Sequence, residues 1–291
     1  MYSTVERIER SFADLEKNHP PLAGMLAPFK ALLVERARLR EEAPALPELP
    51  VPKLDPERLR QGVFWAADAE VFATDRPEWL AFFRQSLERL LPVMGANFPG
   101  LAREAETVLA ALARGRLDLA GLFRCAAGGG DISGVAGQLG LPADKLAFLA
   151  AEAARPLLEH RAGQLGPSVP EGVWSRGECP LCGRPPEISI LRGQVGQRFL
   201  RCSRCSHEWR FPRSQCPACM NDDHTGLEFL YLKDREGERA EGCRFCKRYL
   251  LGLDARRLGE SLAPEAYAAG LAHLHLLAAE SGYSQGPSAG A

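Results

Sequence analysis

Four pairs of cysteines dominate the chemistry open to this chain. Cys179/Cys182, Cys202/Cys205, Cys216/Cys219 and Cys243/Cys246 each hold two thiols two residues apart, while the ninth cysteine, Cys125, stands alone far upstream. Two thiolates at that spacing fold into a knuckle that aims both sulfurs at one ion, and two knuckles complete a tetrahedron. The eight cysteines therefore supply two full metal sites with none left over. Pairing in sequence order leaves 19 residues between Cys182 and Cys202 and 23 between Cys219 and Cys243, room in each case for a short hairpin. Sequential pairing has the smaller loop-closure cost; interleaving first with third and second with fourth also satisfies the spacing. A thiol-redox function would want one cysteine at a helix N-terminus in a βαβ setting, and no such pattern surrounds these pairs.

Only the first knuckle, CPLCG, carries a glycine after its second cysteine, where a positive φ turns backbone amides toward sulfur. CSRCS, CPACM and CRFCK lack it and are weaker motifs taken singly. Four thiolates accept either metal of the relevant softness, so the expected cofactors are two tetrahedral metal ions, iron (Fe2+/Fe3+) or zinc. His207, close to Cys205, could replace a thiolate, but eight cysteines already fill eight positions. Asp222, Asp223 and His224 read as a polar turn after the third knuckle, and Cys125, in LAGLFRCAA, as a small helical core residue. GGGDISG (Gly128 to Gly134) lacks the Lys-Ser/Thr ending of a phosphate loop and reads as a flexible connector. With no Ser/His/Asp arrangement and no HExxH helix evident, no catalytic residue is assigned and the chain does not read as an enzyme.

The elements that must position the thiols belong to the second half of the chain. Residues 1–165 are helical in texture: Val5, Ile8, Phe12 and Leu15, then Leu22, Leu26, Phe29, Leu32, Leu33 and Ala37, recur at three- and four-residue steps. The proline-rich stretch Ala43 to Pro56 must break the helix. Further helices are expected over Pro56 to Thr74, Pro77 to Leu91, Leu101 to Arg114, Leu117 to Ala127 and Pro142 to His160, making about seven in a bundle. Gly163 to Gly172 reads as a linker. Beyond it, short extended runs (Glu187 to Leu191, Gln197 to Arg201, Glu208 to Phe211, Leu227 to Leu232) alternate with the cysteine pairs. Pro264 to Glu280 returns to helix, and the closing SQGPSAGA reads as frayed. The expected fold is α+β: a helical domain (1–165), a first metal module (174–213), a second (214–257) and a C-terminal helix (262–282).

Charge excludes some functions and localises others. The 291 residues carry 36 Lys+Arg against 37 Asp+Glu, too even a balance for a surface given over to nucleic acid or an anionic membrane. The N-terminus is charged throughout, unlike a secretory signal, and no long uncharged apolar run occurs, so a cytoplasmic protein without membrane insertion is expected. Within the cysteine region the balance is uneven. From Trp174 to Arg213, eight basic residues face three acidic ones, and a divalent ion with four thiolates brings that half to about +3. From Ser214 to Arg257, eight basic residues meet eight acidic ones, leaving about −2 with the metal centre. The basic first half motivates an alternative reading as a zinc-ribbon nucleic-acid binder, although no aromatic stacking platform interleaves its arginines.

The cysteine region resembles the FdhE family, accessory proteins of bacterial formate dehydrogenases. The resemblance rests on CPLCGRPP (Cys179 to Pro186), RFLRCSRCSHEWRFPRSQCPAC (Arg198 to Cys219) and AEGCRFCKRYL (Ala240 to Leu250), with LHLLAAESGY (Leu274 to Tyr283) similar to the family's terminal helix and NHPPLAGMLAPF (Asn18 to Phe29) similar in layout. One departure is His275, where the family commonly has an aspartate. The resemblance implies a helical domain with two rubredoxin-like modules, iron as the usual metal, and no catalysis of its own. It implies association with the catalytic subunit of respiratory formate dehydrogenase in the cytoplasm, as a maturation or proofreading chaperone acting before or around Tat export. Arg198, Arg201, Arg204, Glu208 and Trp209 are the expected partner contacts, and a homodimer remains among the expected assemblies.

Overall fold

The computed structural model of the chain describes residues 2–65, 72, 75–128, 130–233 and 235–285. Its fold is α+β and divides into two compact units. One comprises 23–53 and 68–164 and is helical; the other gathers 1–22, 54–67 and 165–291 around a sheet. The units cut across the linear segment 1–165, because its first helix packs with the sheet.

In the helical unit, α2 (Ala23–Glu42), α4 (Pro77–Asn97), α5 (Ala102–Ala113), α6 (Leu119–Gly128), α7 (Ser133–Leu139) and α8 (Ala143–Leu165) bury one another's apolar faces. Phe83, Leu87, Leu90, Leu91, Val108, Phe123, Leu149 and Leu157 are fully enclosed. The proline-rich stretch has lost its helical amides and is tied down by side chains instead. Arg161 donates to the carbonyls of Leu49 (3.1 Å) and Pro50 (2.6 Å), and Trp79 Nε1 to that of Pro47 (3.2 Å). Three corrections apply to the helix readings. The helix expected over Pro56 to Thr74 is α3 (Pro56–Arg60), stopped at Gly62, whose φ of +82° suits a helix end; part of its remainder lies outside the described residues. GGGDISG already contains the start of α7. Cys125 is half-buried in α6, its thiol 3.3 Å from the Asp131 carbonyl, so it is not a fully enclosed core residue.

The other unit opens with α1 (Thr4–Asn18). Ser3 and Glu6 form a reciprocal capping box, Ser3 Oγ accepting from Glu6 N at 3.1 Å and Glu6 Oε2 from Ser3 N at 2.8 Å. Ile8, Phe12 and Leu15 face inward, and Ser11 Oγ accepts from Ala263 N at 2.9 Å. The strands are β1 (Pro186–Arg192), β2 (Gln197–Cys202), β3 (Glu208–Arg210), β4 (Leu227–Leu230), β5 (Glu238–Cys243), β6 (Arg248–Asp254) and the short β7 (Ser284–Gln285). They form one sheet in the order β3-β2-β1-β6-β5-β4, with β7 against β6. Each cysteine half contributes an antiparallel three-stranded meander, and the two join by parallel pairing of β1 with β6, Ser189 lying opposite Gly252.

Short helix α9 (Ala255–Leu258) follows β6, capped by Asp254, which accepts from Arg256 N at 3.1 Å. The C-terminal helix is two pieces, α10 (Pro264–Gly270) and α11 (Ala272–Glu280), because Gly270 is a poor helix former and Leu271 turns out of helical geometry with ψ 38°. Of the closing residues read as frayed, Ser284 and Gln285 pair with Arg248 and Tyr249; the rest lie outside the described residues. Strands β5 and β6 escaped the sequence reading. β6 has no apolar alternation, since Tyr249, Leu251, Gly252, Leu253 and Asp254 are all buried in the sheet's middle, and β5 buries Glu238 and Glu241.

Candidate metal centres

Each meander returns its strand ends to its own pair of knuckles, so the sulfurs cluster in sequence order. Cys179, Cys182, Cys202 and Cys205 form one group and Cys216, Cys219, Cys243 and Cys246 the other, with the four sulfurs of each lying within 4.8 Å of one another. Interleaved pairing is excluded by this grouping. The first group spans Cys179···Cys205 at 3.7 Å, Cys182···Cys202 at 3.4 Å and Cys182···Cys205 at 3.6 Å; the second spans Cys216···Cys246 and Cys219···Cys243, each at 3.8 Å. A tetrahedron with metal–sulfur bonds of about 2.3 Å has edges of about 3.8 Å. The sulfurs therefore stand where four ligands of one ion belong.

All four knuckles share one backbone conformation. The residue after the second cysteine has positive φ in every case: Gly183 at 68°, Ser206 at 57°, Met220 at 60° and Lys247 at 57°. In three of them its amide donates to the carbonyl of the knuckle's first cysteine, at 2.9 Å for Gly183, Met220 and Lys247. The glycine was thus a real signal in CPLCG, but its absence elsewhere does not mark a weaker knuckle. Ser, Met and Lys tolerate the left-handed region at a strain of about 1–2 kcal/mol each. Backbone amides also approach sulfur, as Arg204 N does Cys202 Sγ at 3.4 Å.

Electrostatics favour a cation at both places. Burial pushes the Cys179 and Cys205 thiols well above the ordinary range and raises Cys216; Cys246 rises to about 11, again through burial. Burial opposes charge on Cys202 as well, yet hydrogen bonds from Cys179, Cys182 and Cys205 hold its thiol well below the usual value. A bare cluster can thus carry one thiolate by sharing protons, whereas four thiolates need a dication among them. The clusters differ in shielding. The first is wholly buried, whereas Cys219 is exposed and Cys246 half-buried in the second. Part of that cover comes from residues 54–65, over a hundred positions away: Trp65 N donates to Pro180 O at 2.8 Å, and the Phe64 ring lies over Gly183. No local pattern in the sequence signals this strap.

The arginines of the first half turn inward. Arg198 on β2 is 2% exposed; it donates to the carbonyls of Pro212 (3.1 Å) and Gln215 (2.9 Å) and pairs with Glu241 on β5. This ion pair spans the join between the meanders, over Ser189 and Gly252, and a side chain on Gly252 would meet Glu241 Oε1 at 2.6 Å. Arg239 also donates to Glu241 at 2.7 Å. Although burial opposes it, these two guanidinium groups keep the Glu241 carboxyl below its ordinary value. Arg201, equally buried, pairs with Glu187 and Glu265, and Trp209 is buried with its indole donating to Arg176 O at 3.2 Å. Burial removes Arg198, Arg201 and Trp209 from the accessible surface; Arg204 and Glu208 stay half-exposed, Glu208 accepting from Arg192 at 3.2 Å.

The remaining candidates take structural places. His207 stacks on Trp209 with ring centroids 6.4 Å apart and joins neither cluster. Asp223 accepts from Thr225 N at 2.9 Å, making the polar turn expected there. His275 hydrogen-bonds to the Tyr249 hydroxyl, so the histidine at this position ties α11 to β6. No described helix is long and apolar enough to cross a membrane.

Comparisons with known proteins converge on one family. Residues 178–213 match the model described as FdhE, central domain. The Protein FdhE homolog of Aquifex aeolicus is 28% identical over 123 residues, covering 41% of this chain and 43% of that protein. That of Stutzerimonas stutzeri is 36% identical over 113 residues, covering 37% and 35%. The aligned stretch thus spans less than half the length of these curated relatives. The crystal structure of the FdhE protein from Pseudomonas aeruginosa extends the likeness across the fold, with a TM-score of 0.62, 25% identity, and coverage of 98% of this chain and 94% of that one. The central-domain match falls on the first cluster, and the fold is similar to that of this FdhE protein along almost the whole chain.

Proposed function

We propose that this protein is an accessory factor for formate dehydrogenase, binding its catalytic subunit in the cytoplasm before or around Tat export as a maturation or proofreading chaperone. The observation that carries the reading is the pair of preformed tetrahedral sulfur clusters within an FdhE fold. All eight cysteines would be ligands, Cys179, Cys182, Cys202 and Cys205 in one site and Cys216, Cys219, Cys243 and Cys246 in the other. A bound Fe2+ or Zn2+ would supply cross-linking of the strand ends, and the two halves, 174–213 and 214–257, would be its metal-dependent folding modules. The protein's own residues do the rest. The positive-φ knuckles aim the thiols, the residue 54–65 strap keeps water off the first cluster, and the Arg198–Glu241 pair fastens one meander to the other. Of the five expected contact residues, Arg204 and Glu208 keep accessible surface and would be the ones to meet the client.

Burial of Arg198 and Arg201 and the Arg192–Glu208 pair weaken the nucleic-acid alternative, since these three of the eight arginines of the first half are engaged by carboxylates. The test is co-purification from cells making both proteins. The catalytic subunit of formate dehydrogenase should come down with the parent chain and less with Cys243→Ser. Failure of the folded parent to retain it would sink the proposal.

A further inference from the structure

A third group of metal-ligating side chains lies apart from both cysteine clusters. His19 closes the C-terminus of α1, Glu238 begins β5 and His273 sits on α11, and one donor atom from each lies within 4.8 Å of the others. His19 Nε2 stands 2.8 Å from Glu238 Oε2, close to the separation of about 3 Å between adjacent ligands of a six-coordinate ion with 2.1 Å bonds. His19 and Glu238 are buried, and the imidazoles of His19 and His273 face one another with centroids 4.5 Å apart. Both ring nitrogens of His273 are enclosed and have no hydrogen-bond partner among the described residues. Leaving a buried polar atom unpaired costs about 1–3 kcal/mol, so this ring calls for a missing partner.

The hydrogen bonds already present are themselves in conflict. His19 Nε2 faces Arg235 Nη1 at 2.9 Å as well as Glu238. Arginine can only donate, so this nitrogen would have to accept; a deprotonated Glu238 can only accept, so the same nitrogen would have to donate. One ring atom cannot do both. A cation resolves the conflict by taking the lone pair of His19, the carboxylate of Glu238 and a lone pair of His273 together, leaving half-exposed Arg235 to turn to solvent. The C-terminal end of α1, where His19 sits, adds a negative helix-dipole end that favours the cation.

We propose that His19, Glu238 and His273 form a third metal site, for a divalent first-row ion such as Fe2+, Co2+ or Zn2+. Two imidazoles and one carboxylate suit that class and leave coordination positions open, unlike the saturated four-sulfur clusters. The site is independent of the client reading, since it is counted by metal content and not by partner binding.

Co2+ is the probe. The full chain, loaded anaerobically at both cysteine clusters, is titrated with Co2+ and its metal counted after gel filtration. Thiolate charge-transfer bands report the first two equivalents and stay constant as a third binds. The third is expected in the parent and absent in His273→Ala and Glu238→Gln, with the thiolate bands kept. If a variant loses those bands through misfolding, the parent alone decides: Zn2+ added as the third equivalent should shift the ring nitrogen signals of two of the six histidines. A parent that stops at two equivalents up to millimolar Co2+, variants that still bind three, or unshifted histidine signals would each overturn the proposal.

Discussion

Replacing Gly183 by alanine and Lys247 by glycine should move metal retention in opposite directions at the two clusters. Both residues follow the second cysteine of a knuckle and both have positive φ, 68° and 57°. Lys247 is exposed, and its one aromatic contact among the described residues is the Tyr283 ring 5.7 Å from its ammonium, so Lys247→Gly sacrifices little packing. It relieves about 1–2 kcal/mol of left-handed strain and adds about 0.5–1 kcal/mol of unfolded-state entropy, a net gain of about 0.5–1 kcal/mol. Gly183→Ala incurs the same terms with reversed sign, and its new methyl would sit 2.6 Å from the Phe64 ring. Overpacking of that kind costs about 1–3 kcal/mol, and half-buried Phe64 can yield part of it, giving about 2–3 kcal/mol in all. Because metal binding here is coupled to local folding, these energies should appear in affinity. Competition against a chelator of known affinity should find the first cluster of Gly183→Ala weakened roughly 30- to 150-fold, and the second cluster of Lys247→Gly strengthened about two- to five-fold. A first cluster that holds its ion as tightly in Gly183→Ala as in the parent would refute the knuckle argument.

Arg198→Ala strands a buried carboxylate, which ordinarily costs about 3–5 kcal/mol; Arg239 still pairs with Glu241, so urea titration should find a loss near 3 kcal/mol and Arg198→Ala/Glu241→Ala should recover part of it. In the helical unit, burial and the neighbouring Arg161 and Arg40 lower the His160 pKa below 6.5, so the neutral ring is the folded form. Its stabilisation is complete above pH 6.5 and is lost as pH falls below that value toward the folded pKa; amide exchange in α8 should accelerate accordingly, and His160→Gln should flatten the profile. Exposed Cys219 should be the first of the eight paired thiols alkylated when metal is withdrawn, with Cys179 and Cys205 last; mass mapping of a timed iodoacetamide reaction reads the order.

Much of this architecture is written in short-range signals. The CxxC spacing, four strands and most helices of the first half follow from local pattern, and sequential sulfur grouping follows from the lower cost of closing nearby loops. What escaped depends on tertiary partners. Three knuckles adopt a glycine-like turn without glycine because the sulfurs and the strand ends hold them there. β5 hides two glutamates whose partners, Arg198 and His19, are 43 and 219 residues away. Arg198 and Arg201 look like a basic surface in one dimension and turn out to be interior ion pairs, since charge counting cannot see which face of a strand is covered. His19, 219 residues from Glu238, had no local signal as a ligand at all.

The central claim is that eight cysteines hold two ions in two all-sulfur tetrahedra. X-ray absorption on anaerobically purified protein, adjusted to two metal equivalents per chain, tests it most directly. Each ion should show four sulfur neighbours at about 2.3 Å, and Cys243→Ser should retain one tightly held equivalent. Nitrogen or oxygen in the first shell of the parent, or two equivalents held as tightly in Cys243→Ser, would contradict the account.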